Sequence, residues 1–423
     1  MSIESTSEKT VRDVAVVGGG PAGMIAALTA AREGARVTLL ERNEKLGKKL
    51  YITGKGRCNV TNIADFEEFF AQVPRNPRFL NAAVRRFSAQ DLTALLESLG
   101  VETVVQRGGR VFPKSEKASD VTRALERALQ GAGVRVRLGC RVQAVLQEDG
   151  AVNGVLLEDG TKLPAHSVIV ATGGVSYPST GSTGDGYRFA GDLGHSVVPP
   201  RPSLVGMVTK AQWPRDLQGL SLKNVRLCAR LGKKKLYDEL GEMLFTHFGV
   251  SGPLVIELSS HMTELNPSKV DVRIDLKPGL TPEQLDRRIQ RDFESMQRKQ
   301  LASVLGGLLP QRMASIFPPL CGLSGEMPVH QVTRPQRQHL AETLKALPLE
   351  IERMRPIEEA IVTRGGVDVK EIVPGTMASK RVEGLYFAGE VLDVDAHTGG
   401  FNLQIAFSTG VLAGQAAAQA QGL

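Results

Sequence analysis

Val14-Ala15-Val16-Val17, followed at once by Gly18-Gly19-Gly20-Pro21-Ala22-Gly23, decides how this chain folds. The four apolar, mostly β-branched residues read as a short strand buried in a parallel sheet. MIAALTAAREGA comes next, an alanine-rich helix, and then Arg36-Val37-Thr38-Leu39-Leu40, a second strand closing on Glu41. This is a βαβ unit in its expected order. Gly18 permits the tight turn, Gly20 lets the backbone approach a pyrophosphate, and Gly23 lets helix and strand pack closely. Pro21 and Ala22 open a helix whose free N–H groups and positive dipole end suit phosphates. Glu41, with Arg42 beside it, lies where a carboxylate accepts hydrogen bonds from a ribose. A glycine-rich turn without a ligand leaves the same local pattern; strand, helix, second strand and acid together point to a dinucleotide. The fingerprint does not separate FAD from NAD.

Two distant segments favour FAD. Ser167-Val168-Ile169-Val170-Ala171-Thr172-Gly173-Gly174 is an apolar strand running into a glycine turn, after a predicted meander of short strands at 134–138, 141–147 (including Val142) and 152–160. Gly384-Leu385-Tyr386-Phe387-Ala388-Gly389-Glu390 is a strand ending in Gly-acid, before a loop and a final helix from about Asn402. The layout resembles the two-dinucleotide-fold flavoproteins, whose FAD domain is built from both chain ends. That resemblance makes Gly389 and Glu390 contacts of the ribityl chain, and Gly399, Gly400, Phe401, Asn402 and Leu403 contacts of the flavin ring. Helix N–H groups there would stabilise negative charge gathering on reduction. The two glycines of HTGGFN suit close approach of backbone to a flat ligand. No second G-x-G-x-x-G is present, so NAD(P)H is expected to dock transiently as electron donor.

Length and composition bound the rest. A chain of 423 residues, 42% hydrophobic and 23% charged, implies two or more globular domains. The polar first ten residues lack a signal peptide's apolar stretch, and no run is long enough to span a bilayer. A cytoplasmic protein without a membrane partner is the expectation. Cys58, Cys140, Cys228 and Cys321 are scattered, with no C-x-x-C pair and no metal-ligand spacing, so no metal is expected. Residues 201–356 hold 23 Lys and Arg against 16 Asp and Glu, which is the chain's whole +7 excess. A basic module suggests an acidic partner such as nucleic acid; a solvated surface is the plainer alternative.

Further stretches carry a family resemblance. They are Gly47-Lys48-Lys49-Leu50, Thr53 to Asn62, Phe112-Pro113-Lys114-Ser115, Ala118-Ser119-Asp120-Val121, Tyr177-Pro178, Thr180 to Gly186, Thr246 to Pro253, and Gly389 through Asp395 to Gln404. Together, in order and nearly end to end, they resemble the HI0933-like flavoproteins, the BaiN/RdsA or YhiN-type family. The resemblance implies an α/β, Rossmann-like FAD domain formed by 1–200 and 357–423. Into it a domain is inserted over 201–356, β-rich at 201–276 and 325–356 and helical at 277–324. Thr281-Pro282-Glu283 supports a helix start independently, as N-cap, first-turn proline and acid. Leu285, Ile289, Phe293 and Met296 then share one core-facing stripe. The resemblance also places cofactor contacts on Lys49, Gly56, Arg57, Cys58, Asn59, Val142, Ala171, Thr172 and Gly173.

Activities assigned across that family include bile-acid reduction, aminoacetone oxidation and dihydrouridine synthesis in large-subunit ribosomal RNA. The last fits a basic insert, with 23S rRNA or a ribosome assembly intermediate as partner. Arg226, Arg230, Lys233, Lys234 and Lys235 could hold phosphates, and an unpaired or flipped uracil could reach the flavin. With hydride delivered to uracil C6, a side-chain acid must protonate C5. Cys58 is the first candidate, because its Gly-, Lys- and Arg-rich loop should lower a thiol's pKa. His397 and His247 follow. A packed cysteine, structural histidines and a small-molecule reductase or oxidase on the same fold are the alternatives.

Overall fold

The computed structural model describes residues 11–419, which divide into two compact units, 11–201 with 361–419, and 202–360. The polar N-terminal start read above lies outside the described residues. Among the described residues no helix is long and apolar enough to cross a membrane.

The first unit is built on a five-stranded parallel sheet. Its order is Leu385–Phe387, Ser167–Val170, β1 (Asp13–Val17), β2 (Arg36–Leu40) and Arg135–Arg137. The central position of β1 explains its unbroken apolar run, since strands covered on both faces have no polar side. Helix α1 (Pro21–Arg32) packs against the last helix, Phe401–Gln419. Gly410 and Gly414 let their backbones meet: a Cβ there would lie 2.5 Å and 2.4 Å from the carbonyl oxygens of Ala22 and Ala26. The Gly-x-x-x-Gly spacing is the sequence signal of this close approach.

The expected strand at 134–138 forms, yet it joins the edge of the parallel sheet beside β2 instead of the meander. The meander itself consists of Val142–Glu148, Ala151–Leu157 and Lys162–Pro164. A two-stranded pair, Val197–Ser203 and Val362–Val367, lies at the chain's exit and return.

The second unit holds a seven-stranded sheet. Its order is Leu347–Pro348, Asp271–Asp275, Ser221–Leu231, Lys234–Thr246, Gly249–Ser251, Met207–Thr209 and Ile351–Met354. Helices Pro282–Ser295, Leu301–Leu305 and Gln311–Leu320 fall inside the predicted helical stretch. Leu285, Ile289 and Phe293 are buried and Met296 packs beside them. Two helices fall where strands were expected, Pro253–Met262 and Arg334–Lys345. The second begins with a complete capping box: Thr333 N–H donates to Gln336 Oε1 at 2.9 Å, and Gln336 N–H returns to Thr333 Oγ1 at 3.5 Å. That Thr-x-x-Gln with Pro335 inside the first turn outweighs any β pattern over 325–356.

Candidate functional site

The glycine turn after β1 is built as its spacing predicts. Gly18 has φ 104° and donates to Leu40 O at 2.8 Å. A Cβ on Gly23 would fall 1.8 Å from Gly18 O, so helix and strand touch through bare backbone. A Cβ on Gly20, by contrast, would meet nothing within 4 Å. The start of α1 has no side-chain cap and carries Pro21 in its first turn. An uncapped helix start beside open space is a cradle for an anion. Glu41 is buried against this turn, accepting from Gly19 N–H at 2.7 Å and from Asn43 through its other oxygen. Oε1 already accepts two bonds from Asn43, whereas Oε2, with the one from Gly19, keeps capacity for a further hydroxyl. Arg42 reaches Thr183 Oγ1 at 2.5 Å and Asp185 at 3.1 Å. These residues fit a dinucleotide.

Two predicted contacts far apart in sequence meet directly. Lys49 Nζ lies 2.7 Å from Ser176 Oγ and 2.7 Å from Glu390 Oε2. Glu390 Oε1 accepts from Ser176 Oγ at 3.0 Å and from Thr363 N–H at 2.9 Å. Glu390 is therefore held by three groups of its own chain, beside the Gly173-Gly174 turn, where a Cβ on Gly174 would approach it to 3.1 Å. Ala171 continues the strand by donating to Val17 O, and Val142 is buried. Thr172 Oγ1 and Asn59 Oδ1 are buried with no partner among the described residues.

The loop carrying Cys58 corrects the sequence reading. Gly54, Lys55, Gly56 and Cys58 all have φ between 59° and 87°, a coil that folds the cysteine inward. Cys58 is 0% exposed, and burial pushes its thiol up to about 12 rather than down. The Arg57 side chain, one of the loop's cations, faces elsewhere. The Arg57 guanidinium lies 4.4 Å over the Phe112 ring, pairs with Glu116 and donates to Gln106 at 2.8 Å. A side chain without exposed surface touches neither cofactor nor substrate, so Cys58 leaves the list of proton donors and cofactor contacts.

The C-terminal glycines also act differently from the reading. Gly400 has φ 104°, and a Cβ there would fall 2.3 Å from Thr61 O; on Gly399 it would press on the Phe401 ring at 2.8 Å. Their missing side chains make room for the protein's own backbone and ring. Phe401 stands edge-on to Phe69 at 5.6 Å, Leu403 is half-buried, and Gly389 donates to Thr409 Oγ1 at 2.9 Å. Asn402 locks the preceding loop, accepting from Ala396 N–H at 2.9 Å and donating to Ala396 O at 2.7 Å. His397, 6% exposed, sits in that loop.

Two charged clamps on the same loop were missed. Arg75 Nε holds both oxygens of Asp393 at 2.6 and 2.7 Å, and Arg364 holds Asp395 at 2.9 and 2.8 Å. Both carboxylates are 1% exposed, and burial raises the Asp393 pKa against the pull of Arg75. The signal was present: two acids within Val391-Leu392-Asp393-Val394-Asp395-Ala396 require cationic partners if that apolar run is buried.

In the second unit, Arg230, Lys233, Lys234 and Lys235 are exposed around the end of the long hairpin. Arg226 is not available in the way expected, because its guanidinium pairs with Asp238 at 3.1 Å, which Lys235 also approaches at 3.5 Å. His247 is exposed and edge-on to Phe248 at 5.0 Å.

A helix-start anion cradle, a ribose-side carboxylate and a sheet assembled from both chain ends define a flavoprotein of the Rossmann type. The HI0933-like protein Rossmann domain matches residues 12–416, and the chain belongs to that family of FAD-dependent oxidoreductases. It is 33% identical over 96% of its length to the 3-dehydro-bile acid delta(4,6)-reductase of Clostridium scindens, covering 99% of that protein. It is 32% identical to the ribosomal RNA dihydrouridine synthase of Haemophilus influenzae, over 93% of this chain and 95% of the relative. The Escherichia coli protein of the same name is 30% identical over 94% and 96%. Among solved structures, the 3-ketosteroid-Δ4-(5α)-dehydrogenase of Rhodococcus jostii aligns over 99% of both chains at 16% identity and TM-score 0.51, a likeness of fold alone.

Proposed function

We propose that this protein reduces the C5=C6 bond of a uridine in 23S ribosomal RNA to dihydrouridine, with NAD(P)H as the transient reductant of its flavin. The observation that favours RNA over a small substrate is the exposed basic hairpin end, Arg230 with Lys233, Lys234 and Lys235, in the unit that carries the chain's charge excess. Two relatives of matching length named ribosomal RNA dihydrouridine synthase support the reading.

The chain's own residues divide the work. The open start of α1 at Gly20 receives the pyrophosphate, and Glu41 Oε2 accepts a ribose hydroxyl. Lys49, Ser176 and Thr363 fix Glu390 at the ribityl side, while the Arg75–Asp393 and Arg364–Asp395 clamps hold the loop leading into the last helix. FAD, when bound, supplies hydride transfer. With Cys58 lacking any exposed surface, His397, which keeps 6% of its own, becomes the leading group to protonate uracil C5, and the exposed His247 stands second. The experiment is turnover of unmodified 23S rRNA by the purified holoenzyme with NADPH or NADH, read as dihydrouridine formed. His397→Gln is expected to slow it at least about tenfold while the flavin stays bound.

A second reading is reduction of a small conjugated substrate, favoured by the 33% identity to the bile-acid reductase. Salt separates them. RNA turnover falls steeply with ionic strength, whereas turnover of a neutral steroid does not.

A further inference from the structure

The second unit contains a groove of ≈ 590 Å³ along the helix Pro282–Ser295, lined by Leu280 and by Gln284, Arg287, Arg288, Gln290, Arg291 and Glu294. The stripe opposite, Leu285, Ile289 and Phe293, anchors this helix in the core, so its arginine face is set rigidly outward. Most acids near the groove are already committed. Asp286 pairs with Arg337 at 2.8 Å, Asp292 with Arg288 at 2.9 Å, and Glu283 accepts from the Thr281 hydroxyl at 2.7 Å. Glu294 accepts from Gln290 at 2.9 Å. Arg287 spends only its Nε, on Glu283 O, and Arg291 has no partner among the described residues. Lys277 adds to the crowding: its own burial, and then Arg288 nearby, push its ammonium pKa down. Arg287 and Arg291 are therefore the cations of this face left to meet an anion.

The groove is not isolated from the basic hairpin. Strand Asp271–Asp275 begins opposite Arg230 and ends opposite Arg226, then leads through Lys277 and Leu280 into the helix. Its length puts about 13 Å of strand between the hairpin end and the loop entering the groove. A single phosphate engages only one of these sites; an extended polyanion engages both.

We propose that Arg287 and Arg291, on the outward face of this helix, form a second docking site for the phosphate backbone of the RNA substrate. The inference rests on the RNA reading above and adds a surface to it. Guanidinium forks bind phosphate oxygens in pairs, and the flanking Gln284 and Gln290 amides can donate to or accept from sugar hydroxyls.

The test uses the holoenzyme and in-vitro-transcribed, unmodified 23S rRNA. Affinity is measured across a salt series for wild type, Arg287→Gln/Arg291→Gln, and Arg287→Lys/Arg291→Lys. The positions are exposed, so melting temperature and flavin absorbance should stay unchanged. The glutamine pair is expected to weaken binding about tenfold and lower the log–log salt slope by about 2; the lysine pair should keep the slope. If wild type binds and reduces the RNA while the glutamine pair binds with the same affinity and slope, the docking site is wrong and the RNA reading stands. If wild type does not bind the RNA, both fall. Loss of binding to anionic lipid vesicles instead of RNA would also overturn the assignment.

Discussion

At Gly20, in front of α1, an added Cβ would meet nothing within 4 Å; at Gly400, in front of the last helix, it would fall 2.3 Å from a backbone carbonyl. Both glycines precede a helix of the same unit, and the sequence reading gave both the same reason, approach of a ligand. Only Gly20 faces open space. Gly400, like Gly23, is glycine because protein backbone occupies the place of its side chain, and its φ of 104° adds strain for any other residue. A glycine motif thus carries two messages, one about ligand and one about packing, and the space around the missing Cβ tells them apart.

This contrast can be broken by substitution. Gly23→Ala and Gly400→Ala should each cost more than about 3 kcal/mol, beyond ordinary overpacking, and be seen as loss of cooperative thermal unfolding or of soluble protein. Gly20→Ala should leave apoprotein stability within about 1 kcal/mol yet weaken FAD at least about tenfold by flavin fluorescence titration. Equal effects at Gly20 and Gly400 would remove the distinction.

Glu390→Gln comes next. It takes a charge from a carboxylate bound to Lys49, Ser176 and Thr363, and should destabilise by about 2 kcal/mol in denaturant unfolding. Cys58→Ala should cost about 1 kcal/mol and leave turnover unchanged. In the native protein the Cys58 thiol, raised to about 12, should resist alkylation at pH 8, while the partly exposed Cys140, which burial also raises, should react faster than Cys58. Slowed turnover with flavin intact would restore Cys58 to the chemistry.

The smallest expected effect is on acid stability. Hydrogen bonding from Arg381, chiefly, lowers Glu371 from 4.5 to about 2, with Ser196 also donating to it. A depressed carboxylate pKa contributes stability that is complete above pH 4.5 and is lost as pH falls toward 2. Glu371→Gln should flatten the pH dependence of unfolding in that window, modestly, because Arg381 is half-exposed.

The sequence made the Rossmann unit legible because its signals are local: β1, the turn and α1 are contiguous, and each glycine has a spacing-defined task. The insert was legible where caps were sought, at Thr281, and misread where they were not, at Thr333. Cys58 was misjudged because loop composition says which charges are near in sequence, not which way they point. The coil of positive-φ residues turned the thiol inward and sent Arg57 to Phe112 and Glu116. The Lys49–Glu390 contact and the Arg75–Asp393 clamp join residues more than 300 positions apart, so only the assembled sheet could pair them; the Arg364–Asp395 clamp spans 31 positions.

The central claim, that this flavoprotein reduces a uridine of ribosomal RNA, is tested most directly in cells. Mass spectrometry of 23S rRNA with the gene deleted should show one dihydrouridine lost, restored by the wild-type gene and not by the Gly20→Ala form that binds FAD poorly. An unchanged set of dihydrouridines after deletion would contradict the claim and turn the same fold toward a small conjugated substrate.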